Sequence, residues 1–256
     1  MKTKKLRQNF KILTIAGSDP SGGAGVQADL RVFQELGLCG QSVITAVTAQ
    51  NEKMFIAVNP VSPRVLREQL QSVGRCDYVK IGMLGTKANV QEVIRYLKKT
   101  KPKVVVLDPV FRSSTGAVLL PPEGIRLLQK ELLPLCTLVT PNLAEAETLT
   151  GLRVCTIENM KEAAQRIQCQ SVLIKGGHLK GSATDVLYDG KKFYEFTSQR
   201  FKKSFHGTGC VLSSMILSYL ALGYSLKQSV EQAKSIIRKK CLGIANSLAT
   251  SVRWCR

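Results

Sequence analysis

The chain has 256 residues, with 37 Lys plus Arg against 18 Asp plus Glu and a formal charge of +19 at pH 7. That length suits one α/β domain over residues 1–256 with a core large enough to need no staples. Eight cysteines with no Cys-x-x-Cys pair, and only two histidines, His178 and His206, argue against a zinc site and for free thiols in a reducing cytoplasm.

The basic excess is scattered in short clusters, Lys2–Arg7, Lys98–Lys103, Lys202–Lys203 and Arg238–Lys240, without a long basic tract or interleaved aromatics. Specific nucleic-acid binding is therefore not expected. No apolar stretch has the length of a membrane span, and Ile12–Ala16 is too short for a signal-peptide core.

Lys11 to Ala16 reads as a buried strand, Gly17 to Gly25 as a loop, and Val26 to Leu36 as an amphipathic helix, the opening of a βαβ unit. Gly17-x4-Gly22 begins like a phosphate-binding loop, but Gly23-Ala24 stands where Lys-Ser/Thr is required. Gly23-x-Gly25-x-x-Ala28 resembles a dinucleotide fingerprint, but the next strand, Ser42 to Thr48, is followed by Gln50-Asn51 and not by an acid for a ribose. Asp29 falls in the first turns of the helix, where a carboxylate suits the dipole as well as a ligand.

Helices over Pro63–Val73 and Lys87–Lys99 alternate with strands over Tyr78–Met83 and Val104–Leu107. A helix over Glu123–Leu133, a strand over Leu138–Thr140, a helix opening at Pro141-Asn142, a helix over Thr156–Gln168 and a strand over Val172–Lys175 continue the pattern. Gln50, Met83, Asp108 and Lys175 all fall at carboxyl ends of strands, where ligands of open α/β sheets gather. Asn142-Leu143-Ala144-Glu145 has the form of a capping box, which needs no functional explanation.

Asp185–Tyr188 and Lys192–Phe196, joined across Asp189-Gly190, predict a hairpin bordering the sheet. Cys210–Leu222 is interrupted by few polar residues and predicts a central helix; a last helix runs from Ser225 past Lys240. Ahead of the central helix, His206-Gly207-Thr208-Gly209-Cys210 places two glycines at a helix N-terminus, where backbone N–H groups and the dipole favour an anion.

Together, Ala16–Asp29, Lys80-Ile81-Gly82-Met83-Leu84, Asp108-Pro109-Val110, Thr140–Glu145, Lys175-Gly176-Gly177-His178 and His206–Cys210 resemble the ribokinase superfamily. Within it, the chain is similar to the hydroxymethylpyrimidine/phosphomethylpyrimidine kinases of thiamine biosynthesis. The resemblance implies a three-layer αβα sandwich with a central, mostly parallel sheet and a small border hairpin. It implies ATP and Mg²⁺ as cofactors and successive phosphorylation of 4-amino-5-hydroxymethyl-2-methylpyrimidine and its monophosphate.

Carried onto this sequence, the resemblance puts Gly17, Asp29, Gln50, Met83, Val110 and Cys210 around the pyrimidine, with the Gln50 amide on its aminopyrimidine edge. It puts Asn142 and Glu145, with Asp108 as a further candidate, around magnesium and its waters, Lys175 near the ATP phosphates, and Gly207, Thr208 and Gly209 in an anion hole with Cys210. Sugar-kinase relatives have an aspartate base where Cys210 stands, and a thiolate at a helix N-terminus could take that role, or the thiol could only position the substrate. The implied partners are the pyrimidine and ATP, with no specific nucleic acid and no membrane; a homodimer is left open.

Two segments depart from the family pattern. Ser114-Thr115-Gly116-Ala117 replaces the usual lysine and aspartate flanking Ser-Gly, and Leu242–Arg256 lacks the usual Gly- and His-containing segment. The competing readings are a pyridoxal/pyridoxine kinase on the same fold and a non-catalytic ligand or nucleic-acid binder that kept it.

Overall fold

A computed structural model describes residues 10–51, 54–113, 115–177, 179, 183–198 and 207–241. Ser114, His178, Lys202–Lys203, His206 and Leu242–Arg256 lie outside the described residues. The elements run β1 (Ile12–Ser18), α1 (Gly25–Glu35), β2 (Gly40–Gln50), β3 (Phe55–Pro60), α2 (Pro63–Val73), β4 (Tyr78–Ile81), α3 (Lys87–Thr100) and β5 (Val104–Leu107). After these come α4 (Pro122–Leu127), β6 (Leu138–Val139), α5 (Leu143–Thr150), α6 (Ile157–Arg166), β7 (Val172–Ile174), β8 (Ala183–Tyr188), β9 (Phe193–Ser198), α7 (Thr208–Ala221) and α8 (Leu226–Cys241).

The described strands form one nine-stranded sheet in the order β3-β2-β1-β4-β5-β6-β7-β8-β9. Pairing is parallel from β2 through β7 and antiparallel where β3, β8 and β9 join. Strand alternation sorts side chains into two cores, as the two-residue period of a pleated sheet requires. Leu13, Ile15, Val79, Ile81, Leu107 and Val139 pack on the side of α2, α3, α5 and α6, whose Leu66, Val93, Ala146 and Met160 join the same cluster. Ile12, Val106, Leu138, Leu173 and Leu187 pack on the other side against Val32 of α1, Met215 of α7 and Val230 of α8. The result is the expected three-layer sandwich with a mostly parallel sheet and a border hairpin.

Helix starts follow local chemistry. Ser62 and Thr86 accept first-turn N–H groups of α2 and α3, Pro63 opens α2, and Thr156 caps α6. The helix expected over Glu123–Leu133 instead breaks after Leu127 into a π turn over Leu128–Leu132 and a 3₁₀ turn over Leu133–Leu135. Pro134 lacks the N–H that a continuing helix would need. β3 was not expected from the sequence: most of its side chains are only partly covered, with Ile56 70% exposed, so it lacks the strict alternation of a half-buried strand.

Candidate active site

The strand ends converge as expected. Gln50 is the last residue of β2, Met83 follows β4 by two residues, and Asp108 and Lys175 directly follow β5 and β7. The N-termini of α1 and α7 meet over this edge: Gly207 has φ +78°, and a Cβ there would stand 1.8 Å from the Gly23 carbonyl oxygen. Only glycine allows the two loops to touch in this way. The N-cap of α7 is Gly207, which has no side chain to accept from the first-turn N–H groups.

The glycine loop after β1 is held by its own aspartate. Asp19 accepts from the backbone N–H of Ser21 and Ala24, at 3.0 and 2.8 Å, and from the Ser21 hydroxyl. Two N–H groups of the loop are thus taken by a carboxylate of the same loop.

One wall of the site is apolar. Met83 clusters with Ala46 and Leu119, and Phe55, Val58 and Val110 pack against them. A Cβ on Gly17 would come within 3.1 Å of the Met83 sulfur, so Gly17 and Met83 are immediate neighbours. Gln50 pairs across the sheet with Phe55 beside a bulge, half-buried at the margin of this wall. Thr45 donates to the Met83 carbonyl at 2.6 Å, and the Asn89 amide donates to the Leu84 carbonyl at 3.1 Å, fixing the turn that presents Met83. Phe55, Thr45 and Asn89 were missed in the sequence because none sits in a motif; β3 itself was the missing signal.

A second part of the edge is charged. The Lys175 ammonium donates to Asp108 Oδ1 at 2.7 Å and lies 3.9 Å from Glu145 Oε2. Thr140 also donates to Asp108 Oδ1, at 3.3 Å. A Cβ on Gly209 would stand 3.4 Å from both Asp108 Oδ2 and the Lys175 ammonium, so the α7 N-terminus lies directly over this pair. Burial lowers the Lys175 pKa, but the Asp108 and Glu145 carboxylates outweigh it and hold the group above the usual lysine value. Burial pushes Glu145 up to about 7, with Lys175 pulling it down and Asp108 adding to the rise.

Asn142 and Glu145 do form the capping box: Asn142 Oδ1 accepts from the Glu145 N–H at 2.9 Å, and Glu145 Oε2 accepts from the Asn142 N–H at 2.7 Å. Each still has a further oxygen lone pair or a second carboxylate oxygen to offer. Two carboxylates and an amide oxygen, hard donors grouped beside a lysine, fit magnesium held largely through water and substrate phosphate. No cluster of three or more His, Cys, Asp or Glu able to hold a metal by itself occurs among the described residues.

Below the α7 N-terminus lies a buried ion pair. Lys80 is the charged residue on the face of β4 that turns to α1 and α7, and its ammonium donates to Asp29 Oδ2 at 2.8 Å with both side chains 0% exposed. Thr14 donates to the same oxygen at 2.6 Å, and Ser214 of α7 donates to Asp29 Oδ1 at 2.6 Å. Asp29 therefore turns both oxygens inward, to β1, β4 and α7, and offers no exposed surface to a ligand. Burial opposes the Lys80 charge, but Asp29 outweighs it and raises the pKa, so Lys80 remains an ammonium. A lone lysine in an otherwise apolar strand, Tyr78-Val79-Lys80-Ile81, was the signal that could have singled it out.

Cys210 lies within the electrostatic reach of Lys80, Asp29 and Asp108. Burial pushes its thiol up to about 11; the Lys80 ammonium and the Gly25 N–H pull it down but do not prevail, and Asp29 and Asp108 add to the rise. Desolvation thus prevails over the groups that favour the thiolate.

No helix among the described residues is long and apolar enough to cross a membrane.

The signature of the family described as phosphomethylpyrimidine kinase matches residues 19–249. A hydroxymethylpyrimidine/phosphomethylpyrimidine kinase of Aquifex aeolicus is 45% identical over 88% of this chain and 91% of its own length. The crystal structure of a phosphomethylpyrimidine kinase from Clostridium difficile is 41% identical, with a TM-score of 0.81 over 90% of this chain and 99% of that one. A pyridoxal kinase from Staphylococcus aureus, solved in complex with AMP-PCP and pyridoxal, is 38% identical, with a TM-score of 0.82 over 90% of this chain and 87% of that one. A sheet with its charged and apolar walls at the carboxyl edge, and relatives matched over nearly their full lengths, lead to one conclusion: this chain is a phosphotransferase of the phosphomethylpyrimidine kinase family.

Proposed function

We propose that the chain transfers the γ-phosphoryl group of ATP to the hydroxymethyl group of 4-amino-5-hydroxymethyl-2-methylpyrimidine and then phosphorylates the monophosphate to the diphosphate. The observation that carries this reading is the glycine N-terminus of α7 lying over the Lys175–Asp108 pair, where a Cβ on Gly209 would stand 3.4 Å from both. Phosphoryl transfer has a loose transition state whose charge sits on the equatorial oxygens, so alignment and charge stabilisation matter more than covalent help. The N–H groups of Gly207–Cys210 and the Lys175 ammonium supply donors for that charge from two sides. Magnesium, held through Asp108, Glu145 and Asn142, would neutralise phosphate oxygens when bound.

The pyrimidine lies in this reading against Met83, Val110 and Gly17, with the Gln50 amide pairing with the exocyclic amine and a ring nitrogen. Cys210 stays a thiol and donates to, or packs against, the acceptor group. The same walls suit pyridoxal, which the Staphylococcus aureus relative was solved with, so pyridoxal kinase activity is the second reading. Gln50→Leu distinguishes them, because pyridoxal has no amine-and-nitrogen edge for the amide. The variant is expected to lose about 1–3 kcal/mol in kcat/KM for the pyrimidine and less for pyridoxal. An equal loss for the two substrates would mean that Gln50 does not read the ring.

A further inference from the structure

β7 and β8 pair antiparallel up to Ile174 opposite Val186, and the ladder stops there. The next inward backbone donor, the Gly176 N–H, is taken by a side chain: Asp185 Oδ1 accepts it at 2.8 Å in a buried position. Asp185 Oδ2 is bound by the Lys234 ammonium of α8, and both side chains are largely buried. On the other side of the same turn, the Lys175 N–H donates to the Pro141 carbonyl at 2.8 Å. Gly176 is pressed so closely on β8 that a Cβ would stand 1.8 Å from the Thr184 carbonyl oxygen. The segment that carries Lys175 out of the sheet is thus clamped by two consecutive backbone donors, one anchored to the strand edge before α5 and the other to a carboxylate.

A buried carboxylate is a costly way to satisfy one N–H group, and a neutral acceptor would suffice for folding alone. Its negative charge has a further effect here, because it draws in Lys234 and so couples α8 to the backbone beside Lys175. We infer that Asp185 and Lys234 are positioning residues for the nucleotide: acting through Gly176, they hold Lys175 and the Gly176-Gly177 turn where the ATP phosphates are received. This rests on the function proposed above, since it takes Lys175 to be the phosphate-side lysine. Asp185 and Lys234 touch neither reactant; they fix the backbone from which the contacting groups project.

The test compares Asp185→Asn, Lys234→Met and Lys234→Arg with wild type in two measurements: calorimetric binding of AMP-PCP with magnesium, without pyrimidine, and steady-state kinetics with each substrate varied. Asp185→Asn and Lys234→Met are expected to weaken AMP-PCP binding and raise the KM for ATP at least about fivefold, with the KM for the pyrimidine changed less than about twofold. Lys234→Arg, which keeps the charge, is expected to restore nucleotide affinity to within about twofold of wild type. A merely structural role would lower the melting temperature without dividing the two KM values. Folded Asp185→Asn and Lys234→Met proteins that bind AMP-PCP like wild type, or that raise both KM values equally, would overturn the inference while leaving the kinase reading intact. Wild-type protein that binds no AMP-PCP would instead overturn the kinase reading, and this inference with it.

Discussion

Replacing Lys80 by methionine removes the ammonium that faces Asp29 while keeping most of the volume of the side chain. What remains is a carboxylate with 0% exposure and two hydroxyl donors, Thr14 and Ser214. Breaking a fully buried pair from one side costs about 3–5 kcal/mol, because the surviving charge is left desolvated. For a chain of this size that corresponds to a fall in melting temperature of about 6–20 °C. The loss arises because Asp29 is left buried with its hydroxyl donors but without its counter-ion. Asp29→Asn in the Lys80→Met background removes the unpaired charge and keeps hydrogen-bonding capacity for Thr14 and Ser214, and is expected to recover most of the loss. Urea unfolding of wild type, Lys80→Met and the double variant measures this directly. A loss under about 1 kcal/mol for Lys80→Met, or a double variant no more stable than the single one, would refute the reasoning.

Cys210→Ser is expected to lower kcat by less than about tenfold with the KM for ATP unchanged, because general-base catalysis is worth about 10²–10⁴-fold and a protonated thiol does not supply it. The pH profile of kcat/KM is expected to lack a limb that vanishes in this variant between pH 6 and 9, since burial holds the thiol up at about 11; such a limb would make Cys210 a base. Gly207→Ala is expected to reduce kcat/KM by at least about tenfold, as its Cβ would collide with the Gly23 carbonyl and the residue would keep an unfavourable positive φ. Wild-type kinetics for Gly207→Ala would show that the contact between the α1 and α7 loops does not shape the anion hole.

Most of the layer order was legible because the parallel strands β1, β4, β5, β6 and β7 carry largely apolar runs of a doubly covered sheet, with Asp108 and Lys175 just beyond the ends of β5 and β7. Asp108 and Lys175 could be placed at one edge for that reason, although only the folded chain brings the two within 2.7 Å across 67 positions. β3 was illegible, since an edge strand with much exposed surface need not alternate. The inward turn of Asp29 was also illegible: the sequence places it in the first turns of α1, but its partners Thr14, Lys80 and Ser214 come from three other elements. The charge state of Cys210 depends on the same three-dimensional fact. Its position at a helix N-terminus is readable from Gly207-Thr208-Gly209, whereas the burial that raises its pKa is not. The Asn142–Glu145 capping box was readable in full, because all of its atoms lie within one turn of chain.

The most direct test of the account is a single time course. Purified protein is incubated with ATP, magnesium and 4-amino-5-hydroxymethyl-2-methylpyrimidine, and the products are followed by mass, with a parallel reaction on pyridoxal. The account predicts that the pyrimidine monophosphate appears first and is then converted to the diphosphate, with a higher kcat/KM for the pyrimidine than for pyridoxal. No phosphorylated pyrimidine under these conditions, or efficient phosphorylation of pyridoxal alone, would contradict it.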